Sequence, residues 1–103
     1  MNCIFCNQKL VCQNKVQIFA DYECKSCVAR LFYNLTELYV YFFNVYFDGR
    51  FFEIHYDIDS ALTRITPFNF EGYYDTKESI YLYNIQLTPQ NAIDKLPMIL
   101  TFS

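Results

Sequence analysis

Residues 38–58 read LYVYFFNVYFDGRFFEIHYDI, two aromatic-rich runs joined by Asp48-Gly49. Asp-Gly between such runs is the strongest short-range hairpin signal, because the tightest hairpin turns need positive φ at both central positions. The stretch therefore predicts strands over Leu38–Phe47 and Arg50–Ile58. A two-residue turn sets Val45 opposite Phe52, Phe43 opposite Ile54, Tyr41 opposite Tyr56 and Tyr39 opposite Ile58. Strand alternation then puts these residues on one face, the expected core. The reverse face carries Phe42, Tyr46 and Phe51, a candidate interface. Such an apolar set needs a cover, from the N-terminal hairpin, the C-terminal helix or a second protein chain.

Outward from this hairpin the signals weaken. Towards the N-terminus, Val28–Asn34 fits one helical face through Val28, Leu31, Phe32 and Leu35, and reads as a short helix or irregular connector. Residues 9–13 and 16–22 both alternate, with Asn14-Lys15 as a turn between them. Towards the C-terminus, 61–66 reads as a strand that stops at Pro67. Residues 70–74 and 80–87 read as a further hairpin around Asp75–Glu78. Thr88 then caps a helix with Pro89 in its first turn, and Pro97 should end that helix by Leu96. Met98–Phe102 is left as a short edge strand.

Composition supports a folded, β-leaning chain. Of 103 residues 53% are apolar, 18% are charged and 20% are aromatic, with only two glycines. Tyr and Phe favour pleated, half-buried surfaces, and the low charge argues against disorder. The length allows one domain or small module, whose modest core would gain from a metal staple.

Four of the five cysteines are spaced for that purpose. Cys3-Ile4-Phe5-Cys6 and Cys24-Lys25-Ser26-Cys27 are two Cys-x-x-Cys pairs separated by 17 residues. Each pair can aim two sulfurs and some backbone amides at one point, and together they supply a tetrahedral thiolate shell. Zinc suits that shell best, with iron the less common occupant. Cys12, inside the hairpin, reads as a small buried apolar residue.

Over residues 1–30 the two pairs resemble the zinc-ribbon (rubredoxin-like) family. The resemblance implies one structural zinc held by Cys3, Cys6, Cys24 and Cys27, together with a binding surface. That family commonly has Gly or a similar residue just after each second Cys. Asn7 fills that position in the first pair, and Val28 departs from it in the second. The expected architecture is mainly β: a zinc-ribbon-like metal module over 1–30, packed on an antiparallel sheet unit over 31–103. One helix near 89–96 completes it, and the two parts are expected to share a core.

Charge narrows the function classes. Residues 1–30 carry four bases against two acids, net +2, and residues 31–103 four bases against nine acids, net −5. Four thiolates on a divalent ion bring the first segment near neutrality, so no strongly basic surface is predicted. A nucleic-acid-binding ribbon would use Lys9, Lys15, Lys25 and Arg30 as phosphate contacts. An enzyme would use His55, the single histidine, with Glu53, Asp57 or Asp59. That row also reads as the solvated face of an antiparallel strand, and no nucleophile or phosphate loop accompanies it. The leading expectation is a non-enzymatic adaptor or regulator that docks on a protein partner or on itself. No apolar run approaches the roughly 20 residues of a membrane span, and no basic flank precedes an apolar leader. An intracellular, cytoplasmic setting is expected, and the Asn, Ile, Tyr and Phe bias is compatible with a phage or an AT-rich microbe.

Overall fold

The computed structural model describes residues 1–69 and 71–101. One antiparallel sheet of seven strands dominates, with strands in chain order: β1 (Val11–Val16), β2 (Phe19–Cys24), β3 (Ala29–Asn34), β4 (Glu37–Phe47), β5 (Arg50–Asp57), β6 (Leu62–Phe68) and β7 (Ile80–Tyr83). One helix, α1 (Ala92–Thr101), follows. Each strand pairs with its sequence neighbours, so the topology is a meander built from local connections.

The central hairpin has the expected register. Val45 pairs with Phe52, Phe43 with Ile54 and Tyr41 with Tyr56 across the Asp48-Gly49 turn, where both residues have positive φ. Tyr39 is a correction. The β3–β4 ladder slips between Phe32 and Tyr33, so Tyr39 falls in a bulge, and its ring meets Phe19 edge-on at 6.1 Å instead of entering the core. Its expected partner Ile58 donates its amide to the Tyr39 carbonyl but is itself an exposed side chain at the strand end.

Residues 29–34 form strand β3, neither helix nor connector. Their alternation of buried Ala29, Leu31 and Tyr33 with half-buried Arg30, Phe32 and Asn34 is that of a strand packed on one side. The first hairpin turns at Gln17-Ile18, not at Asn14-Lys15, and a bulge between Cys12 and Asn14 absorbs the offset. All of β1 is exposed, because it is an edge strand with neither face covered. Cys12 is therefore exposed, against expectation.

The sheet has two unlike faces. The core face carries Leu31, Tyr41, Phe43, Ile54 and Ile65, each almost inaccessible to solvent. It is covered by the N-terminal loop through Phe5 and Leu10 and by the C-terminal segment through Leu87, Ala92 and Leu96. Tyr41 ties the two covers together. Its ring meets Phe5 edge-on at 4.8 Å, its hydroxyl donates to the Leu87 carbonyl, and Gln86 donates to that hydroxyl. Burial pushes the Tyr41 phenol up to about 12, so it remains a neutral donor.

The C-terminal third departs from expectation in three places. Pro67 lies inside β6, which is tolerated because β7 pairs only with Leu62–Ile65, so no ladder partner needs a Pro67 amide; its carbonyl accepts the Asp75 amide at 2.8 Å. Ile80–Tyr83 pairs with β6 and not with a 70–74 strand; Tyr74 makes a single bridge to Phe68, a 3-10 turn spans Thr76–Glu78, and Phe70 lies outside the described residues. The helix runs through Pro97 to Thr101, so neither the stop at Leu96 nor a strand at 98–101 is found, and Phe102 lies outside the described residues. Pro97 lacks the amide that would bond to Ile93, and the surrounding Leu96, Ile99 and Leu100 packing on the core holds the helix together. The helix also starts at Ala92 and not at Pro89: residues 89–91 form a turn, closed by Asn91 N donating to Thr88 Oγ1 at 3.2 Å and Thr88 N donating to Asn91 Oδ1 at 2.8 Å.

Tyr41→Phe keeps the ring but strands the Leu87 carbonyl in the core. Chemical denaturation should show a loss of about 1–3 kcal/mol with an unchanged m-value; a neutral substitution would show that water already serves that carbonyl.

Candidate metal centre

Two turns build the centre. Cys3 and Cys6 lie on a tight N-terminal loop closed by Cys3 N donating to the Gln8 carbonyl at 2.7 Å and Asn7 N donating to the Cys3 carbonyl at 2.9 Å. Cys24 ends β2 and pairs with Ala29, so Cys24–Cys27 is itself the β2–β3 turn. The ligand atoms of Cys3, Cys6, Cys24 and Cys27 all lie within 4.8 Å of one another. Cys6 and Cys24 sulfurs are 3.4 Å apart, and all the cysteines are free thiols. Sulfurs about 2.3 Å from one ion at tetrahedral angles would stand about 3.8 Å apart, so this cluster is of the size a single metal ion needs.

Each turn aims a backbone amide at its first sulfur: Phe5 N, two residues on, donates to Cys3 Sγ and Cys27 N, three residues on, to Cys24 Sγ, both at 3.4 Å. Asn7 and Val28, each just after a second Cys, both have left-handed backbone, with φ of 63° and 54°. Asn adopts that region at small cost, while a β-branched residue there is strained. Val28 accepts the strain because the turn geometry is imposed by its neighbours; its side chain is exposed and gains nothing from packing.

The environment makes the four thiols unequal. Cys3 and Cys24 are buried, and Cys6 and Cys27 half-buried. A hydrogen bond from the Gln8 backbone pulls the Cys6 thiol down to about 7, while burial pushes Cys3 and Cys27 up. Without a cation, ionising one sulfur opposes ionising the next; a bound dication removes that penalty and holds all four as thiolates.

The remaining candidates occupy other places. Lys9, Lys15 and Lys25 are exposed, and Lys15 and the Cys24–Cys27 turn lie at opposite ends of the β1–β2 hairpin, about 16 Å apart at strand rise. Arg30, on β3, forms a two-point ion pair with Asp21, its charge already compensated. Glu53, His55 and Asp57 share one face of β5, and Asp59 has left it: Asp57 Oδ1 accepts the amides of Asp59 and Ser60 and so forms the β5–β6 turn. His55 stacks parallel to Phe42, and burial and Arg64 lower its proton affinity. Across from it, Arg64 holds its Nε shielded and without an acceptor among the described residues. These groups are spread along a strand and do not converge on a point.

Phe42, Tyr46 and Phe51 fall together on the face opposite the core. There, rings run in cross-strand ladders: Phe32 to Phe42 at 5.8 Å and on to His55, and Tyr46 to Phe51 at 4.9 Å, on to Phe68 at 5.5 Å and Tyr74 at 5.3 Å. Sequence alternation on β4 and β5 identified part of this face; the contributions of Phe32, Phe68 and Tyr81 depended on knowing that β3, β6 and β7 flank it. No protein-family model matches the chain, and no curated protein or solved structure is significantly similar to it. Among the described residues no helix is long and apolar enough to cross a membrane.

Two substitutions separate ligand from scaffold effects. Cys24→Ser should abolish metal retention and lower the melting temperature sharply, because a buried ligand is lost. Val28→Gly should leave metal stoichiometry intact and raise stability by about 1 kcal/mol through relief of backbone strain. A destabilised Val28→Gly protein would show that this turn does not need its left-handed residue.

Proposed function

We propose that the protein is a non-enzymatic interaction module in which one zinc ion, bound by Cys3, Cys6, Cys24 and Cys27, is structural and the aromatic sheet face docks on protein. The metal half rests on the cluster itself: four sulfurs within 4.8 Å leave no open coordination position for a substrate. An all-thiolate tetrahedral shell favours zinc over harder cations, and iron is its main competitor. Such an ion would tie the N-terminal loop to the β2–β3 turn and thereby fix the loop that carries Phe5 onto the core.

The observation that carries the docking half is an antiparallel sheet face rich in aromatic rings, over which no helix packs among the described residues. Antiparallel sheets ordinarily turn a polar face to water. Here Tyr46, Tyr81 and Tyr83 are 56%, 58% and 66% exposed beside the half-buried Phe32, Phe42 and Phe51. Aromatic side chains of this kind dominate protein–protein hot spots. The same rings could stack nucleic-acid bases, but the face also bears Asp21, Glu23, Glu37, Glu53 and Asp57 against Arg30 and Arg64. That net negative charge opposes a phosphate backbone and favours a protein partner.

Native mass spectrometry of untagged protein should find one zinc per chain, and a strong chelator should unfold it. Iron in the site, or a folded metal-free chain, would overturn the metal half. Fluorescent single-stranded and duplex oligonucleotides should not bind at low ionic strength; salt-dependent retention would overturn the docking half in favour of nucleic acid.

A further inference from the structure

We infer that a hydroperoxide oxidises the four-cysteine centre to a disulfide between Cys6 and Cys24, so that zinc is released while the N-terminal loop stays tied to the β2–β3 turn. The inference rests on the structural-zinc reading above and adds the regulation of that same centre. Cys6 lies on the N-terminal loop and Cys24 at the end of β2, and their sulfurs are in contact at 3.4 Å. Contacts independent of any metal hold the loop in place: Leu10 N donates to the Met1 carbonyl at 2.9 Å, Gln90 Nε2 donates to the Phe5 carbonyl at 3.0 Å, and Phe5 packs on Tyr41.

Access and resolution fall to different sulfurs. Cys6 and Cys27 are half-buried, whereas Cys3 and Cys24 are buried. Of the two sulfurs within reach of a small oxidant, Cys6 has a buried sulfur of the opposite turn at contact distance. The Cys6 thiolate attacks one peroxide oxygen, the O–O bond breaks, hydroxide leaves, and Cys6 becomes a sulfenic acid. The Cys24 thiolate then attacks the Cys6 sulfur, the S–O bond breaks and a second hydroxide leaves. Two thiolates have lost two electrons in all, and one hydrogen peroxide has been reduced to two hydroxides. Thiolates are the metal ligands, so only Cys3 and Cys27 remain to bind, and two sulfurs no longer close a tetrahedral shell.

Which bond forms decides what happens to the fold. A disulfide between Cys3 and Cys6, or between Cys24 and Cys27, lies within one turn and ties nothing to the other. The bond from Cys6 to Cys24 joins the two segments that the ion joined and closes the chain between them into a loop, which restricts the unfolded state. Cys12 stands apart: it is exposed on β1, opposite Tyr22, and lies outside the four-sulfur cluster. Chelation and oxidation therefore have opposite consequences. A chelator removes the tie between the loop and the turn, and peroxide replaces it.

Hydrogen peroxide in slight molar excess over the zinc-loaded, full-length protein tests this, with bound zinc read by native mass spectrometry and the new bond by tryptic mapping without reductant. Cleavage after Lys9, Lys15, Lys25 and Arg30 puts Cys3 and Cys6 on 1–9, Cys12 on 10–15, Cys24 on 16–25 and Cys27 on 26–30. Loss of one zinc per chain is expected, together with a linked pair of 1–9 and 16–25 whose fragmentation assigns the bond to Cys6. The circular dichroism of the sheet should survive oxidation but not chelation of the reduced protein. Cys12→Ser should change none of these results. Zinc retained under peroxide, a bond inside 1–9 or between 16–25 and 26–30, a bond through Cys12, or unfolding on release would each overturn the inference. Zinc missing before the oxidant is added would overturn the metal reading as well, a result seen in the starting spectrum and distinct from the others.

Discussion

The convergence of four sulfurs is the constraint on which the rest of the molecule depends. It joins the N-terminal loop to the β2–β3 turn and thereby closes one end of the core face. Phe5, carried by that loop, then packs edge-on against Tyr41, and Tyr41 in turn holds the chain entering α1 through Leu87. From the four-cysteine cluster to the chain entering α1 the path runs through two contacts, Phe5–Tyr41 and Tyr41–Leu87. A chain of this size buries a limited apolar area, so fixing one cover of the core has a large effect on the whole. Strain in the Val28 backbone is a local consequence, sustained because the Cys24–Cys27 turn must aim its sulfurs at the cluster.

The covers of the core all lie on one side of the seven-stranded sheet: the helix, the N-terminal loop and the 84–88 segment. On the other side, rings pack against one another within the sheet surface, where Phe42 and Phe51 are half-buried. Edge-to-face and offset pairs of this kind stabilise a sheet surface modestly and still leave most of each ring's outer side exposed.

Much of this was legible in the sequence, and the failures have physical causes. The β4–β5 hairpin was readable because Asp48-Gly49 supplies two residues suited to positive φ. The β3–β4 turn has the same two-residue length, yet it is built on Leu35-Thr36 with Leu35 at φ 57°, a choice with no turn signature. Without that turn, Ala29–Asn34 had no visible partner and its apolar spacing also fitted a helix. Pro67 and Pro97 misled in the same way: proline breaks an element when its missing amide is needed, and at both places tertiary context removes or outweighs the need. Cys12 was expected inside because small thiols usually are, whereas its strand lies at a sheet edge that only topology reveals. The clustering of Cys3, Cys6, Cys24 and Cys27 was legible because a paired Cys-x-x-Cys spacing encodes its own local geometry, independent of the fold around it.

X-ray absorption at the metal edge of the purified, untagged protein tests the central claim most directly. The account predicts a zinc edge and a first shell of four sulfurs at about 2.3 Å, with no nitrogen or oxygen ligand. An iron edge, or a shell in which water or another light atom replaces one sulfur, would contradict a closed structural zinc centre built from Cys3, Cys6, Cys24 and Cys27.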